Sequence, residues 1–135
     1  GLAAIAPPDS TSILAEPGRA LVAEACSLIV QVQLRKGRAL YLNDGIFGSL
    51  AEMALSSLRM PVRPVRVRDA AAPRVPFTLY GPTCDGLDVL PGEFLLPDDL
   101  REGDWLEVAQ IGAYSNALVT RFNGFHPETL VTIGE

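Results

Sequence analysis

The segment LIVQVQLRKGRALYL, residues 28–42, indicates the class of the fold. Within it Val30 and Val32 alternate with glutamines, and this period of two places apolar side chains on one face of a β-strand. The RKGR stretch then supplies a turn, and ALYL follows as a second short apolar run. We therefore predict a β-hairpin with strands at residues 28–34 and 39–42.

Outside the hairpin, the chain repeats short apolar runs separated by Gly, Pro and Asp turns. Further strands are predicted at residues 12–15, 62–68, 76–81, 93–96, 105–110, 118–122 and 129–133. The run at 62–68 alternates valines with arginines and contains Pro64, which favours the edge of a sheet. Many short strands of this kind predict a mainly β fold, a sandwich or Greek-key-like barrel.

Two short helices interrupt the strands. Residues 19–25 have a helix-forming composition, and they follow the turn sequence Glu16-Pro17-Gly18. Residues 49–58 break the alternation, and Ser49 with Glu52 has the spacing of a capping box. We therefore expect one short helix before the hairpin and one inserted after it.

Composition limits the class of function. The 135 residues are enough for one core, and the net charge of −5 disfavours binding to a nucleic acid backbone. Neither a membrane span nor a signal peptide is visible, so a cytoplasmic location is predicted. Cys26 and Cys84 are expected to be free thiols. The single histidine, His126, is expected to lie in a loop, and one histidine cannot form a histidine-based metal site by itself.

Several turn sequences contain residues that can also carry chemistry. Taken singly, EPGR at 16–19, NDG at 43–45 and CDG at 84–86 are explained as plain turns. Alternatively, Gly18 lets the backbone approach a phosphate at the start of a helix, and Arg19 adds charge-assisted hydrogen bonds. Cys84 alone is more typical of a small buried apolar residue than of a catalyst.

The motifs are more specific together than singly. EPGR (16–19), NDG (43–45), GPTCDGLD (81–88), GAY (112–114) and FNGF (122–125) follow one another across nearly the whole chain. In this order they resemble the C-terminal part of the pyridoxal-phosphate-dependent decarboxylases of the ornithine, diaminopimelate and arginine type, which share an alanine-racemase-like fold. The GPTCDGLD form is more similar to ornithine and lysine/ornithine decarboxylases than to diaminopimelate decarboxylases, where Glu-Ser typically follows the cysteine.

The resemblance implies a cofactor site. Glu16 would pair with the pyridine nitrogen of pyridoxal phosphate and keep it protonated. Gly18 and Arg19 would hold the phosphate, and Tyr114 would add a hydroxyl donor to it.

The resemblance also implies a substrate site. Asp44 and Asp85 would face the distal ammonium group of ornithine or lysine, and Cys84 would return a proton to the α-carbon after decarboxylation. Asp88 would support this loop and contact substrate, whereas residues 122–125 would serve packing. Family members share their active sites across a two-fold homodimer, so Cys84 and Asp85 would reach into the partner's barrel.

The chain departs from the family pattern in one respect. The family binds its cofactor covalently through a lysine in an N-terminal (β/α)₈ barrel, and the only lysine here, Lys36, lies in the predicted hairpin turn. We therefore expect residues 1–25 to be the remnant of that barrel, with its last strand, turn and helix. Residues 26–135 would be the C-terminal β-barrel domain, inactive by itself.

Three interpretations follow. The favoured one is the C-terminal domain of a basic amino acid decarboxylase, acting on L-ornithine or L-lysine. The second is a non-catalytic regulatory homologue that dimerises with an active decarboxylase or its protein regulator. The third is a β-barrel interaction module in which the motifs are only turns.

Overall fold

The computed structural model describes residues 11–56, 58–65 and 71–134. Six strands form one sheet in the order β3-β6-β1-β2-β4-β5. Their bounds are β1 Leu28–Lys36, β2 Ala39–Leu42, β3 Val62–Pro64, β4 Arg74–Tyr80, β5 Phe94–Pro97 and β6 Trp105–Val108. The two edge strands, β3 and β5, also contact each other, so the sheet curls into a nearly closed barrel. The mainly β prediction is confirmed.

The helical elements are short. They comprise α1 (Gly18–Val22), α2 (Ala51–Leu55), α3 (Ser115–Leu118) and two 3₁₀ turns, Ala23–Ala25 and Phe122–Gly124. Among the described residues, no helix has the length and apolar character needed to cross a membrane.

The predicted hairpin is present. Strands β1 and β2 pair antiparallel with Lys36 opposite Ala39, and Gly37 occupies the turn with φ of +58°. Such a positive φ suits glycine because it has no Cβ to clash with the backbone. Val30 and Val32 are fully buried, as their alternation predicts. Strand β2 also pairs parallel with β4, which brings residues 39–41 beside residues 78–80.

The core lies inside the curled sheet. Each strand from β1 to β6, apart from the edge strand β3, contributes fully buried side chains, and α2 contributes Met53. The largest fully buried residues are Phe77, Leu40, Leu42, Leu50, Met53, Leu79, Leu90, Leu96, Leu100 and Leu106.

The edge position of the 62–68 strand is confirmed. Strand β3 is short, pairs with β6 alone among the described strands, and contains Pro64, which has no N–H to donate. Val65 is exposed instead of lying on a buried face. The rest of the predicted strand, residues 66–68, lies outside the described residues.

Three predicted strands are wrong. Residues 12–15 and 129–133 carry no regular secondary structure, and 118–122 links α3 to a 3₁₀ turn. Leu14, Leu130 and Ile133 are strongly exposed. A strand needs a neighbour for its backbone hydrogen bonds, and no described strand pairs with these segments. Their apolar composition therefore does not reflect a place in this sheet.

The predicted capping box is also wrong. Helix α2 begins at Ala51, preceded by Leu50 without a side-chain cap, and ends at Leu55. The Ser49 N–H donates to the Asp44 carboxylate at 3.0 Å, so Ser49 belongs to the preceding loop. Glu52 pairs with Arg19 instead of reaching back to the helix start.

A carboxylate ties the hairpin to the turn after β5. Arg38 and Arg35 donate to Asp98 Oδ1 at 2.5 and 2.9 Å. These hydrogen bonds hold the pKa of Asp98 below its ordinary value. Because the folded pKa is depressed, the stabilisation exists above the unfolded pKa and disappears as pH falls through the folded one.

Wild-type protein should lose free energy of unfolding between pH about 7 and about 3, and we expect this loss to be smaller in Asp98→Asn. Urea unfolding at both pH values measures this. Glu93→Gln, a change at an exposed carboxylate, is the control and should keep the wild-type pH dependence. An Asp98→Asn protein as acid-sensitive as wild type would contradict the assignment.

Candidate functional site

The four residues that the resemblance assigns to a cofactor line one pocket. Glu16, Gly18, Arg19 and Tyr114 surround an open cavity of about 780 Å³. The cavity is also lined by Pro17, Ala20, Ala23, Glu24 and Gln110. Two segments that are distant in the sequence thus meet at one cavity, whose volume is typical of small-molecule sites.

Backbone contacts hold the two sides of the pocket together. Gly112 N–H donates to the Ala23 carbonyl at 2.9 Å, and Ile111 N–H donates to the Cys26 carbonyl at 3.1 Å. A Cβ at Gly112 would lie 3.0 Å from the Ala23 oxygen and closer still to the Val22 oxygen. The glycine of the GAY motif therefore allows the close approach that brings Tyr114 near Arg19.

Arg19 is held from two directions. Its Nη1 donates to Glu52 Oε2 at 3.0 Å, and its Nη2 donates to Glu52 Oε1. The guanidinium carbon lies 5.2 Å from the centre of the Tyr114 ring, within range of a cation–π interaction. The hydrogen bonds that Arg19 donates to Glu52 raise the pKa of Arg19 above its ordinary value, which favours the charged guanidinium.

Glu16 and Gly18 form the turn at the pocket edge. Gly18 N–H donates to the Glu16 carbonyl at 2.9 Å. A Cβ at Gly18 would meet nothing of this chain within 4 Å. Packing within the described chain therefore does not require glycine here, and Glu16 keeps an exposed carboxylate beside the cavity.

Asp44 organises the aspartate loop, residues 43–50. Its carboxylate accepts the Gly45 and Ser49 N–H groups on Oδ1, at 2.7 and 3.0 Å. The residue is only 7% exposed, and Oδ2 is buried without a donor among the described residues. An unpaired carboxylate oxygen is well suited to a cationic group, because an unpaired buried polar atom is costly.

Cys84 and Asp85 lie in the cysteine loop, residues 81–88. The Cys84 thiol is exposed, and its backbone has φ of +59°. This conformation costs a non-glycine residue roughly 1–2 kcal/mol, so the surrounding loop must hold it. Asp85 Oδ1 accepts the Leu87 N–H at 2.8 Å, which closes a tight turn.

Asp88 joins the aspartate loop to the cysteine loop. Its Oδ1 accepts Ile46 N–H at 3.0 Å, and its Oδ2 accepts Thr83 N–H at 3.1 Å and Thr83 Oγ1–H at 2.6 Å. The residue is 1% exposed. Both oxygens are thus engaged within the chain, so the geometry supports a loop-holding role for Asp88 and offers no open face for a substrate.

Two glycines allow the loops to touch. A Cβ at Gly45 would lie 2.7 Å from the Gly81 Cα, and a Cβ at either glycine would overlap the Asp88 carboxylate. The backbone of the aspartate loop therefore packs directly on that of the cysteine loop. Glycine fits here because any side chain would separate them.

A third segment, the strap (residues 120–124), fastens both loops. Thr120 N–H donates to the Phe47 carbonyl at 3.2 Å, and the rings of Phe47 and Phe122 pack 4.7 Å apart. Asn123 Nδ2 donates to the Thr83 carbonyl at 2.9 Å, directly before Cys84. Residues 122–125 were expected to serve packing, and the hydrogen bond from Asn123 was not predicted.

Sequence reasoning also missed Glu52 as a neighbour of Arg19. The two residues are 33 positions apart, and the capping-box spacing pointed to a local role for Glu52. For Asn123, a usable signal was present, since Asn followed by Gly favours positive φ and Asn123 has φ of 52°. No comparable signal identifies Glu52.

Comparison with known proteins supports the resemblance to pyridoxal-dependent decarboxylases. A family model described as "Pyridoxal-dependent decarboxylase, C-terminal sheet domain" matches residues 20–112. An ornithine decarboxylase from Panagrellus redivivus is 35% identical, with the alignment covering 91% of this chain and 32% of that protein. The chain spans about a third of the length of such curated relatives.

Two solved structures share the fold. The arginine decarboxylase of Paramecium bursaria Chlorella virus, bound to agmatine, superposes with a TM-score of 0.74 and 34% identity over 90% of this chain and 34% of that one. The lysine/ornithine decarboxylase of Vibrio vulnificus, complexed with cadaverine, gives 0.69 and 35% over 92% of this chain and 34% of that one. With its nearly closed sheet and the family match over residues 20–112, this chain belongs to the pyridoxal-dependent decarboxylases, as their C-terminal sheet domain.

Proposed function

We propose that the chain is the C-terminal domain of a pyridoxal-phosphate-dependent decarboxylase that converts L-ornithine to putrescine or L-lysine to cadaverine. One observation carries the proposal. Asp88 binds the aspartate loop and the cysteine loop side by side, which brings the segments containing Asp44, Cys84 and Asp85 together. Ornithine and lysine are favoured by the GPTCDGLD sequence and by relatives named for those substrates.

The pocket chemistry fits pyridoxal phosphate. Arg19 and Tyr114 offer a guanidinium and a phenol to the phosphate, and Glu16 offers a carboxylate to the protonated pyridine nitrogen. When bound, the cofactor supplies the electron sink for decarboxylation. The lysine that attaches it would belong to an N-terminal (β/α)₈ barrel.

The loops supply substrate recognition and a proton. Asp44 and Asp85 would bind the distal ammonium group through charge-assisted hydrogen bonds. Cys84 Sγ–H would donate its proton to the α-carbon of the product. The exposed thiol and the tethered backbone of its loop support this role.

Exposed apolar side chains support a contact with another domain or subunit. Leu14, Leu21, Leu130, Val131 and Ile133 are all strongly exposed. Helix α1 and the following 3₁₀ turn bury no side chain of their own. We propose that residues 11–25 belong to the end of the barrel and that the active site forms in a cytoplasmic homodimer. Residues 1–10 of the predicted barrel remnant lie outside the described residues.

The test is CO₂ release from L-ornithine and L-lysine by the product of the complete reading frame, with and without added pyridoxal phosphate. Cofactor-dependent release would support the proposal, and the ratio of the two rates would name the substrate. A complete protein that binds no pyridoxal phosphate and releases no CO₂ would overturn it in favour of a non-catalytic homologue.

Asn123→Gly is expected to lower the turnover number by roughly tenfold, the effect of a small misplacement of a catalytic group. The change removes the hydrogen bond to the Thr83 carbonyl but keeps a residue that tolerates positive φ. Asn116→Gly, at an exposed asparagine in α3, is the matched control and should retain turnover within about twofold. Wild-type turnover in the Asn123 variant would show that the strap does not position Cys84.

A further inference from the structure

We propose that Glu52 is an internal counter-ion that competes with the cofactor phosphate for Arg19 and thereby weakens cofactor binding. The inference rests on the proposed function, since it concerns the same pocket. Glu52 lies on α2 and Arg19 on α1, and their two parallel hydrogen bonds form a bidentate pair. This fork-to-fork geometry is the one in which arginine binds carboxylate or phosphate most strongly.

The two members of the pair differ in burial. The Glu52 side chain is 8% exposed, whereas that of Arg19 is 34% exposed and borders the cavity. The guanidinium is therefore reachable from the pocket, while the carboxylate lies behind it. A phosphate that enters the pocket meets an arginine whose charge is already neutralised.

Phosphate binding must then share or displace Glu52. If Arg19 turns fully to the phosphate, it leaves a carboxylate that is almost completely buried and has lost its partner, which is strongly unfavourable. If Arg19 keeps both anions, the negative charges of Glu52 and the phosphate repel each other across the guanidinium. In both arrangements Glu52 lowers the affinity for the phosphate group.

The ring of Tyr114 restricts the conformations open to Arg19. Because the guanidinium lies against this ring, Arg19 has less freedom to swing away from Glu52. Glu52 should not change the affinity for a ligand that lacks a phosphate group. Glu52 thus reduces the contribution of the phosphate group to the binding free energy of pyridoxal phosphate.

The experiment compares Glu52→Gln with wild type in the product of the complete reading frame. Glutamine keeps the size of the side chain and an oxygen acceptor for Arg19 but removes the charge. Titrations of pyridoxal phosphate and of unphosphorylated pyridoxal, followed by absorbance, give the two dissociation constants. We expect pyridoxal phosphate to bind roughly tenfold more tightly to the variant, and pyridoxal to bind within about twofold of wild type.

Two further variants make the result specific. Glu52→Asp keeps the charge and should bind pyridoxal phosphate close to wild type. Glu107→Gln removes a carboxylate paired with Arg63 at 2.6 Å on strands β6 and β3 and should change neither constant. Far-UV circular dichroism identifies folded variants. If Glu52→Gln does not fold, Glu52→Met, which fills the buried space without a charge, replaces it in both titrations, and the same tighter binding of pyridoxal phosphate is expected.

Unchanged or weaker binding of pyridoxal phosphate to folded Glu52→Gln would overturn the inference and leave Glu52 as a residue that only orients Arg19. Failure of the proposed function is separate. If the wild-type protein binds no pyridoxal phosphate, titration with inorganic phosphate, followed by ³¹P NMR, decides the competition. Tighter phosphate binding by Glu52→Gln supports it, and equal or weaker binding overturns it.

Discussion

In the proposed decarboxylase, diamine formation is expected to slow by about 10²- to 10⁴-fold when Cys84 is replaced by alanine, the range that general acid catalysis contributes. The thiol is exposed on a loop whose backbone is held at positive φ. Alanine retains the Cβ, so the backbone cost is the same and the change removes only the proposed proton donor. Serine at this position should be nearly as slow, because a hydroxyl is a much weaker acid than a thiol.

The measurement is the rate of diamine product at saturating substrate, together with the dissociation constant of pyridoxal phosphate. Cofactor binding should be preserved, since Cys84 does not line the pocket that contains Arg19 and Tyr114. Cys26→Ala is the matched control and should keep turnover within about twofold, because that thiol packs against the core. Full turnover by Cys84→Ala would remove Cys84 from the proposed mechanism.

Asp88→Ala is expected to lower the free energy of unfolding by about 4 kcal/mol. The change deletes an acceptor of three hydrogen bonds, and bonds to a charged group contribute about 1.5–3 kcal/mol each before neighbours relax. It also leaves the N–H and hydroxyl of Thr83, a buried residue, without this partner. Such a loss is a large part of the stability of a single domain.

Urea unfolding, with the slope of the transition checked for constancy, measures the effect. Asp88→Asn should cost about 2 kcal/mol or more, because one of its two oxygens becomes an amide NH₂ that faces a donor. Glu93→Ala, at an exposed carboxylate, should change stability by less than about 0.5 kcal/mol. A similarly small effect of Asp88→Ala would show that other contacts hold the two loops together.

The outcome for Asp88 illustrates the limits of carrying roles over from a family. The GPTCDGLD motif placed Asp88 four residues after Cys84 and suggested both support and substrate contact. In the structure its carboxylate is buried and engaged on both oxygens. Whether a carboxylate binds a ligand or its own backbone depends on burial, which the local sequence does not specify.

Three of the strand predictions failed for a related reason. Period-two alternation identified β1 and β2, because alternate side chains of a half-buried strand face opposite environments. Residues 129–133 have a similar β-rich composition, yet Leu130 and Ile133 are exposed and no described strand pairs with the segment. Composition reports what a segment can form, and pairing also requires a neighbour.

The sequence by itself determined the hairpin, the mainly β class, the edge position of β3 and the family, because these depend on short-range periodicity, turn residues and ordered motifs. Only the tertiary structure decided that Glu52 neutralises Arg19 and that Asn123 tethers the segment before Cys84. Each of these contacts joins residues at least 33 positions apart. Such contacts form because the curled sheet brings distant loops together. The spacing of residues along the chain does not indicate which of these loops will be neighbours.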